Sequence, residues 1–149
     1  MANTPPSGFI TLSSILTGFT TQTLILAHQS ADFYGEFVKV YSGYHVAQLL
    51  KTFQQLETMG KKPDEIATLI LNGSISKEIS EQAKALMTFW YTGQIDVSKN
   101  PAKSEWVIPS STIYAEGLAW RAIQAHPTGV SKQKFGYWAG KPADLSKYL

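Results

Sequence analysis

Three histidines, His28, His45 and His126, are the residues best suited to general-base or metal chemistry, since imidazole changes charge near neutral pH. No two stand at the i, i+3 or i, i+4 spacing that would aim both rings at one metal, and no Asp or Glu sits at an offset that completes a ligand set. Structural roles are therefore favoured over ligation. The carboxylate groups Asp64-Glu65 and Glu78/Glu81 fall at expected helix starts, where the helix dipole accounts for them without catalysis, and Glu65, Glu78 and Glu81 lie beside Lys. With no Cys, the chain holds no thiolate metal site, disulfide, iron–sulfur ligand or cysteine nucleophile. Its eleven Gly form neither G-x-G-x-x-G nor a phosphate-cradling P-loop, and no G-x-S-x-G elbow is present. Asn72-Gly73-Ser74 matches a glycosylation sequon but reads better as a helix end and turn.

Two aromatic clusters stand out instead. Phe89-Trp90-Tyr91-Thr92-Gly93 closes an amphipathic segment, and neighbours on a helix are about 100° apart, so one face cannot bury three consecutive aromatics. At least one is expected to be covered by something beyond the local core. Phe135-Gly136-Tyr137-Trp138-Ala139-Gly140-Lys141-Pro142 lies in a stretch without helical period. Either both clusters cap the domain's own core or they anchor a partner, since Trp and Tyr are enriched at binding hot spots. The expected partner-interface residues are Phe89, Trp90, Tyr91, Trp106, Phe135, Tyr137, Trp138, Lys141 and Pro142.

Composition favours a docking protein. Charged residues make up 16% of the 149 positions, against about 25% in an average soluble domain, a shortfall of about thirteen charges, while aromatics reach 12%. Few charges with many aromatics is the texture of interface cores. The net charge of +2 rests on twelve Lys and the single Arg121, and nucleic acid, which draws on Arg for bidentate contacts, is not an expected partner. No apolar run approaches membrane-helix length, so no direct membrane insertion is expected.

The elements that must carry these residues are helical as far as Gly93. Phe9, Leu12, Leu16 and Phe19 mark a first helix stopping near Gly18. A second is expected from about Thr23 to Tyr41, with Leu24, Ala27, Ala31, Tyr34 and Val38 on one stripe. Val46, Leu49, Leu50, Phe53 and Leu56 give a clear amphipathic helix that ends at Gly60. Pro63 opens the next, which Asn72-Gly73 closes. A further helix runs from Ser76 to Gly93 with Ile79, Ala83, Leu86, Met87 and Trp90 inward. Beyond it a short extended piece is expected around Trp106-Val107-Ile108, then one helix from Ser111 to about Ala125 with Tyr114, Leu118 and Ile123 on one side. The fold class is all-α: a small irregular bundle of about five to six helices with an extended C-terminal tail. Residues 1–8 read as a frayed N-terminus with no signal-peptide character, 9–126 as the helical domain and 127–149 as a docking segment.

Four blocks, Phe9 to Gly18, Phe89 to Gly93, Tyr114-Ala115-Glu116-Gly117-Leu118 and Tyr137-Trp138-Ala139-Gly140-Lys141-Pro142, resemble in that order the small (gamma) subunit of bacterial FAD-dependent sugar and polyol dehydrogenases, such as those of glucose, sorbitol and fructose dehydrogenase. The resemblance implies a non-catalytic helical subunit with no cofactor of its own. In that family FAD and the sugar-oxidising His belong to a large subunit of the glucose–methanol–choline type, and electrons often pass to a cytochrome c subunit. The small subunit typically carries a twin-arginine signal and escorts and stabilises the large one. A chain with one Arg has no such motif, so either a leader has been removed and the chain is periplasmic, or it is leaderless and cytoplasmic. The alternatives from other classes are a stand-alone helical adaptor and a small hydrolase or isomerase using His28 or His45.

Overall fold

The structure, a computed structural model, describes residues 4–98, 103–125 and 127. The chain is all-α there, with eight helices and one two-stranded sheet among the described residues. Helix α1 spans Phe9–Thr17 and ends where Gly18 turns left-handed, its N–H donating to Ser14 O at 2.9 Å. Of the residues before it, Pro6 O accepts the Phe9 N–H at 3.1 Å, and a Cβ on Gly8 would stand 3.3 Å from the Phe53 ring. Helix α2, Thr21–Ser30, starts at Thr20, whose hydroxyl accepts the Thr23 N–H at 3.2 Å.

The single helix expected over Thr23 to Tyr41 is two. Ala31 is extended, and Asp32 accepts the Gly35 N–H at 2.8 Å to start α3, Phe33–Tyr41. An Asp at that point caps a new helix more readily than it continues an old one. The break also re-aims the second half: Phe33 and Phe37 are fully buried, while Tyr34 and Val38, from the expected stripe, are half-buried.

Helix α4, Gly43–Thr58, buries Val46, Leu49, Leu50, Phe53 and Leu56 as the pattern requires. Helix α5, Pro63–Leu71, has Asp64 and Glu65 in its first turn, and the Glu65 carboxylate accepts the Lys62 N–H at 3.0 Å. Helix α6, Lys77–Thr92, is capped by Ser76 and ends at left-handed Gly93. It is the central element, packing against α1, α3, α4 and α5.

Strand β1, Ile95–Asp96, pairs antiparallel with β2, Trp106–Val107, in the register Ile95↔Val107 and Asp96↔Trp106. Ile95 and Val107 turn to the core; Asp96 and Trp106 turn away from it. The final expected helix is also divided, into α7, Ser111–Glu116, and α8, Leu118–Ala122. Gly117 between them is extended, and a Cβ there would stand 3.0 Å from Tyr91 O. Leu118 is buried as expected, but Ile123 is 65% exposed because the helix ends before it.

Candidate interaction surface

The first aromatic cluster is absorbed by the chain itself. Phe89 and Trp90 have no exposed surface: Trp90 stacks on Phe33 with centroids 4.1 Å apart, and Phe89 packs on Phe33 and Phe37. Neither side chain offers surface to a partner, which corrects the expectation from helix geometry. Three consecutive aromatics are covered because different elements approach α6 from different sides. The Trp90 indole N–H donates to Ser13 Oγ on α1 at 2.9 Å. The half-buried Tyr91 donates its hydroxyl to Thr17 O at 2.7 Å and meets Phe19 edge-on. At the end of α6, Gly93 sits so close to α7 that a Cβ would lie 2.8 Å from Tyr114 Cα.

Of the other expected interface residues, Trp106 is exposed, on the outward side of β2 and 51% accessible. Phe135, Tyr137, Trp138, Lys141 and Pro142 lie outside the described residues, as does His126. His28 is buried on the inner stripe of α2 with Leu24 and Ala27. His45 is exposed at the start of α4, its Nδ1 3.0 Å from Ser42 Oγ. No group of three or more His, Cys, Asp or Glu side chains converges among the described residues. The carboxylates at the helix starts serve locally: the Ser76 hydroxyl on Glu78 holds its carboxyl below the ordinary value, and Lys77 pairs with Glu81 at 3.7 Å.

A shallow cleft of about 430 Å³ opens beside the hairpin, lined by Lys39, Val40, Tyr41, Asp96, Val97 and Ser98. One oxygen of Asp96 accepts the N–H groups of Ser98 and Glu105, each at 2.9 Å. These two donors hold its carboxyl below the ordinary aspartate range. Burial, with the charge of Asp96 added, pushes the Tyr41 phenol up. The arrangement closes the hairpin rather than presenting a reactive group.

The sequence reading missed a second surface. No Asp, Glu, Lys or Arg occurs between Met1 and Ala31, and none between Trp106 and Ala115. The fold brings these two uncharged stretches together, because α7 packs on α2. On α2, Leu24, Ala27 and His28 face inward, whereas Gln22, Ile25, Leu26 and Gln29, spaced i, i+3, i+4 and i+7, form the exposed opposite stripe. Leu26 is 50% exposed and Ile25 37%. Trp106 and Ile108 are exposed on the stretch that leads into α7. Of the other large exposed apolar side chains, Met59 stands by Glu57 and Lys61, Ile75 by Lys77 and Ile123 by Arg121, while Tyr44, 69% exposed, accepts the Gln48 side-chain N–H at its hydroxyl and meets the His45 ring edge-on. A gap in the run of charged letters was the signal available for this surface.

Compared with known proteins, the chain matches no protein-family model, no curated protein and no solved structure.

Proposed function

We propose that this chain is the non-catalytic small subunit of a heteromeric FAD-dependent sugar or polyol dehydrogenase, binding and stabilising a separate flavin-carrying subunit of the glucose–methanol–choline type and aiding its maturation. The reading is supported first by the four ordered sequence blocks. Three of them are the residues that pack on one another around the end of α6, through Ser13–Trp90, Thr17–Tyr91, Gly93–Tyr114 and Gly117–Tyr91. The resemblance thus follows the residues on which this fold depends. The fourth block, Tyr137 to Pro142, lies outside the described residues.

A second support is the uncharged surface. Charged residues are depleted at the buried centres of interfaces, and here the depletion falls on exposed positions of α2 and of the stretch leading into α7.

Co-expression of the tagged chain with the product of the neighbouring gene, purification on the tag and a flavin absorption spectrum test the reading. A coloured, sugar-oxidising complex is expected, with the chain alone colourless and inactive. Truncation at Val130 is expected to weaken the complex. A monodisperse chain that retains no flavoprotein, the behaviour of a stand-alone adaptor, overturns the proposal.

A further inference from the structure

We infer that Ser42 is a hinge at which the chain opens and exchanges its first three helices with a second copy, giving a swapped dimer. The inference is independent of the proposed function. One residue separates α3, which ends at Tyr41, from α4, which starts at Gly43. That residue, Ser42, has φ +55° and ψ 145°, beside the backbone region essentially reserved for Gly. The strain brings no capping bond in return. The Ser42 side chain does not bond the N–H groups that open α4; its hydroxyl meets His45 Nδ1 at 3.0 Å instead.

The strained turn has a task in the single chain. In one unbroken helix over residues 33–58, at about 100° per residue, Phe33 and Phe37 would point nearly opposite to Val46, Leu49 and Phe53. Yet all five are buried in one core. Ser42 therefore folds α3 back onto the core that α4 already faces. Relaxed into helix, it would release its strain and supply hydrogen-bond partners to the carbonyls that end α3 and the N–H groups that open α4. The aromatic side chains of α3 would then leave their own core, and the core shaped to receive them is that of a second copy.

The exchanged block is well defined. Residues 9–41 lie on one side of Ser42, so a single hinge frees them. Helix α1 packs on α2, and Phe9 meets Tyr34 of α3 with ring centroids 5.1 Å apart, so the block holds together as it moves. The contacts it leaves are remade between copies without any new surface: Phe33 on Trp90, Phe37 on Phe89, and the Ser13–Trp90 hydrogen bond. A short link under strain favours such exchange, a low-cost route to a dimer. Opposing it are the lost freedom of two chains and Gly43, a poor residue inside a helix. The closed monomer therefore prevails when dilute, and exchange occurs when chains fold at a concentration that rivals the tethering of the block to its own core.

The full chain is unfolded in denaturant and refolded at about 1 mM, the scale of a short tether's effective concentration, beside Ser42→Gly and Ser42→Ala/Gly43→Ala. Light scattering after size exclusion reads the mass, and circular dichroism verifies folding. A Cβ at Gly43 meets only Val38 Cγ1, at 3.9 Å, so the closed chain tolerates the double variant. Wild type is expected to yield a dimer that separates slowly on dilution. Ser42→Gly, which takes the closed turn without strain and weakens an unbroken helix, should lower the dimer-to-monomer ratio by about tenfold or more. The double variant, which favours an unbroken helix, should raise it. A wild type that stays monomeric overturns the inference. A dimer that Ser42→Gly leaves unchanged also overturns it, because a side-by-side contact does not pass through the hinge. A folded double variant with no more dimer than wild type has the same consequence, and if that variant does not fold, the comparison of wild type with Ser42→Gly decides.

Discussion

The indole N–H of Trp90 donates to the hydroxyl of Ser13 at 2.9 Å, joining the last turns of α6 to α1 across 77 positions of sequence. Both side chains are fully buried. A large aromatic can occupy the centre of so small a core only if its one polar atom finds a partner, and Ser13 is that partner. The bond explains why a Ser stands in the buried stripe of α1 between Phe9, Leu12 and Leu16.

Ser13→Ala is expected to cost about 1–3 kcal/mol, because it strands a buried donor rather than removing a surface contact. Chemical denaturation of both proteins measures it. In a Trp90→Phe background, which has no donor to strand, the same Ser13→Ala change should cost clearly less. Equal costs in the two backgrounds would show that the loss is one of packing and not of the hydrogen bond.

The burial of Phe89 and Trp90 separates stability from binding. Phe89→Ala or Trp90→Ala should each cost about 3–5 kcal/mol, the range for emptying an aromatic site in a core. Trp106→Ala, on the outward side of β2, should change stability by no more than about 0.5 kcal/mol. Thermal or urea unfolding distinguishes these cases. A small effect at Phe89 and Trp90 together with a large one at Trp106 would reverse the assignment of core and surface.

Gly93 is a close-packing site as well as a helix stop. Its φ of +67° is left-handed, and a Cβ would meet the Tyr114 backbone at 2.8 Å. Gly60 provides the comparison, with φ +73° and open space around the missing Cβ. Gly60→Ala should cost about 1–2 kcal/mol from the backbone conformation alone. Gly93→Ala should cost more, by about 1–3 kcal/mol for displacing α7. Equal losses, measured by denaturation, would show that α7 yields freely.

Most helix borders were legible because they are written in local chemistry. Gly18, Gly60 and Gly93 are left-handed at or just beyond helix ends, and Pro63 and Ser76 mark starts. The missed breaks, at Ala31-Asp32 and Gly117, interrupt patterns whose apolar letters continue across them. At Asp32 a cap competes with a stripe, and the gain in burying Phe33 and Phe37 lies on other helices, out of reach of a periodicity argument. Strand β1 has two residues, too few for a period. The aromatic trio was misjudged for a related reason: one helix face cannot bury Phe89, Trp90 and Tyr91, but α1 and α3 supply other walls. The uncharged run from Met1 to Ala31 was legible throughout; its meaning needed the observation that Ile25 and Leu26 face outward.

Asp96 makes the hairpin sensitive to acid. Its carboxylate is the common acceptor for Ser98 and Glu105, one N–H on each side of the 97–105 connection, and these bonds favour the charged form. The folded-state pKa is therefore below the unfolded one. The stabilisation is fully present above the unfolded value, about 3.9, and is lost as pH falls through the lower folded value. The amide shifts of Ser98 and Glu105 should titrate together, with a midpoint below that of an ordinary aspartate. In Asp96→Asn the side-chain oxygen still accepts hydrogen bonds but no longer ionises, so the hairpin should be weaker at neutral pH and its acid titration should vanish. Tyr41, pushed up by burial and by Asp96, has the opposite sign: its contribution is present below about pH 10 and is lost as pH rises through its folded value. A Ser98 and Glu105 midpoint at or above the ordinary aspartate value would mean that the carboxylate does not hold the connection closed.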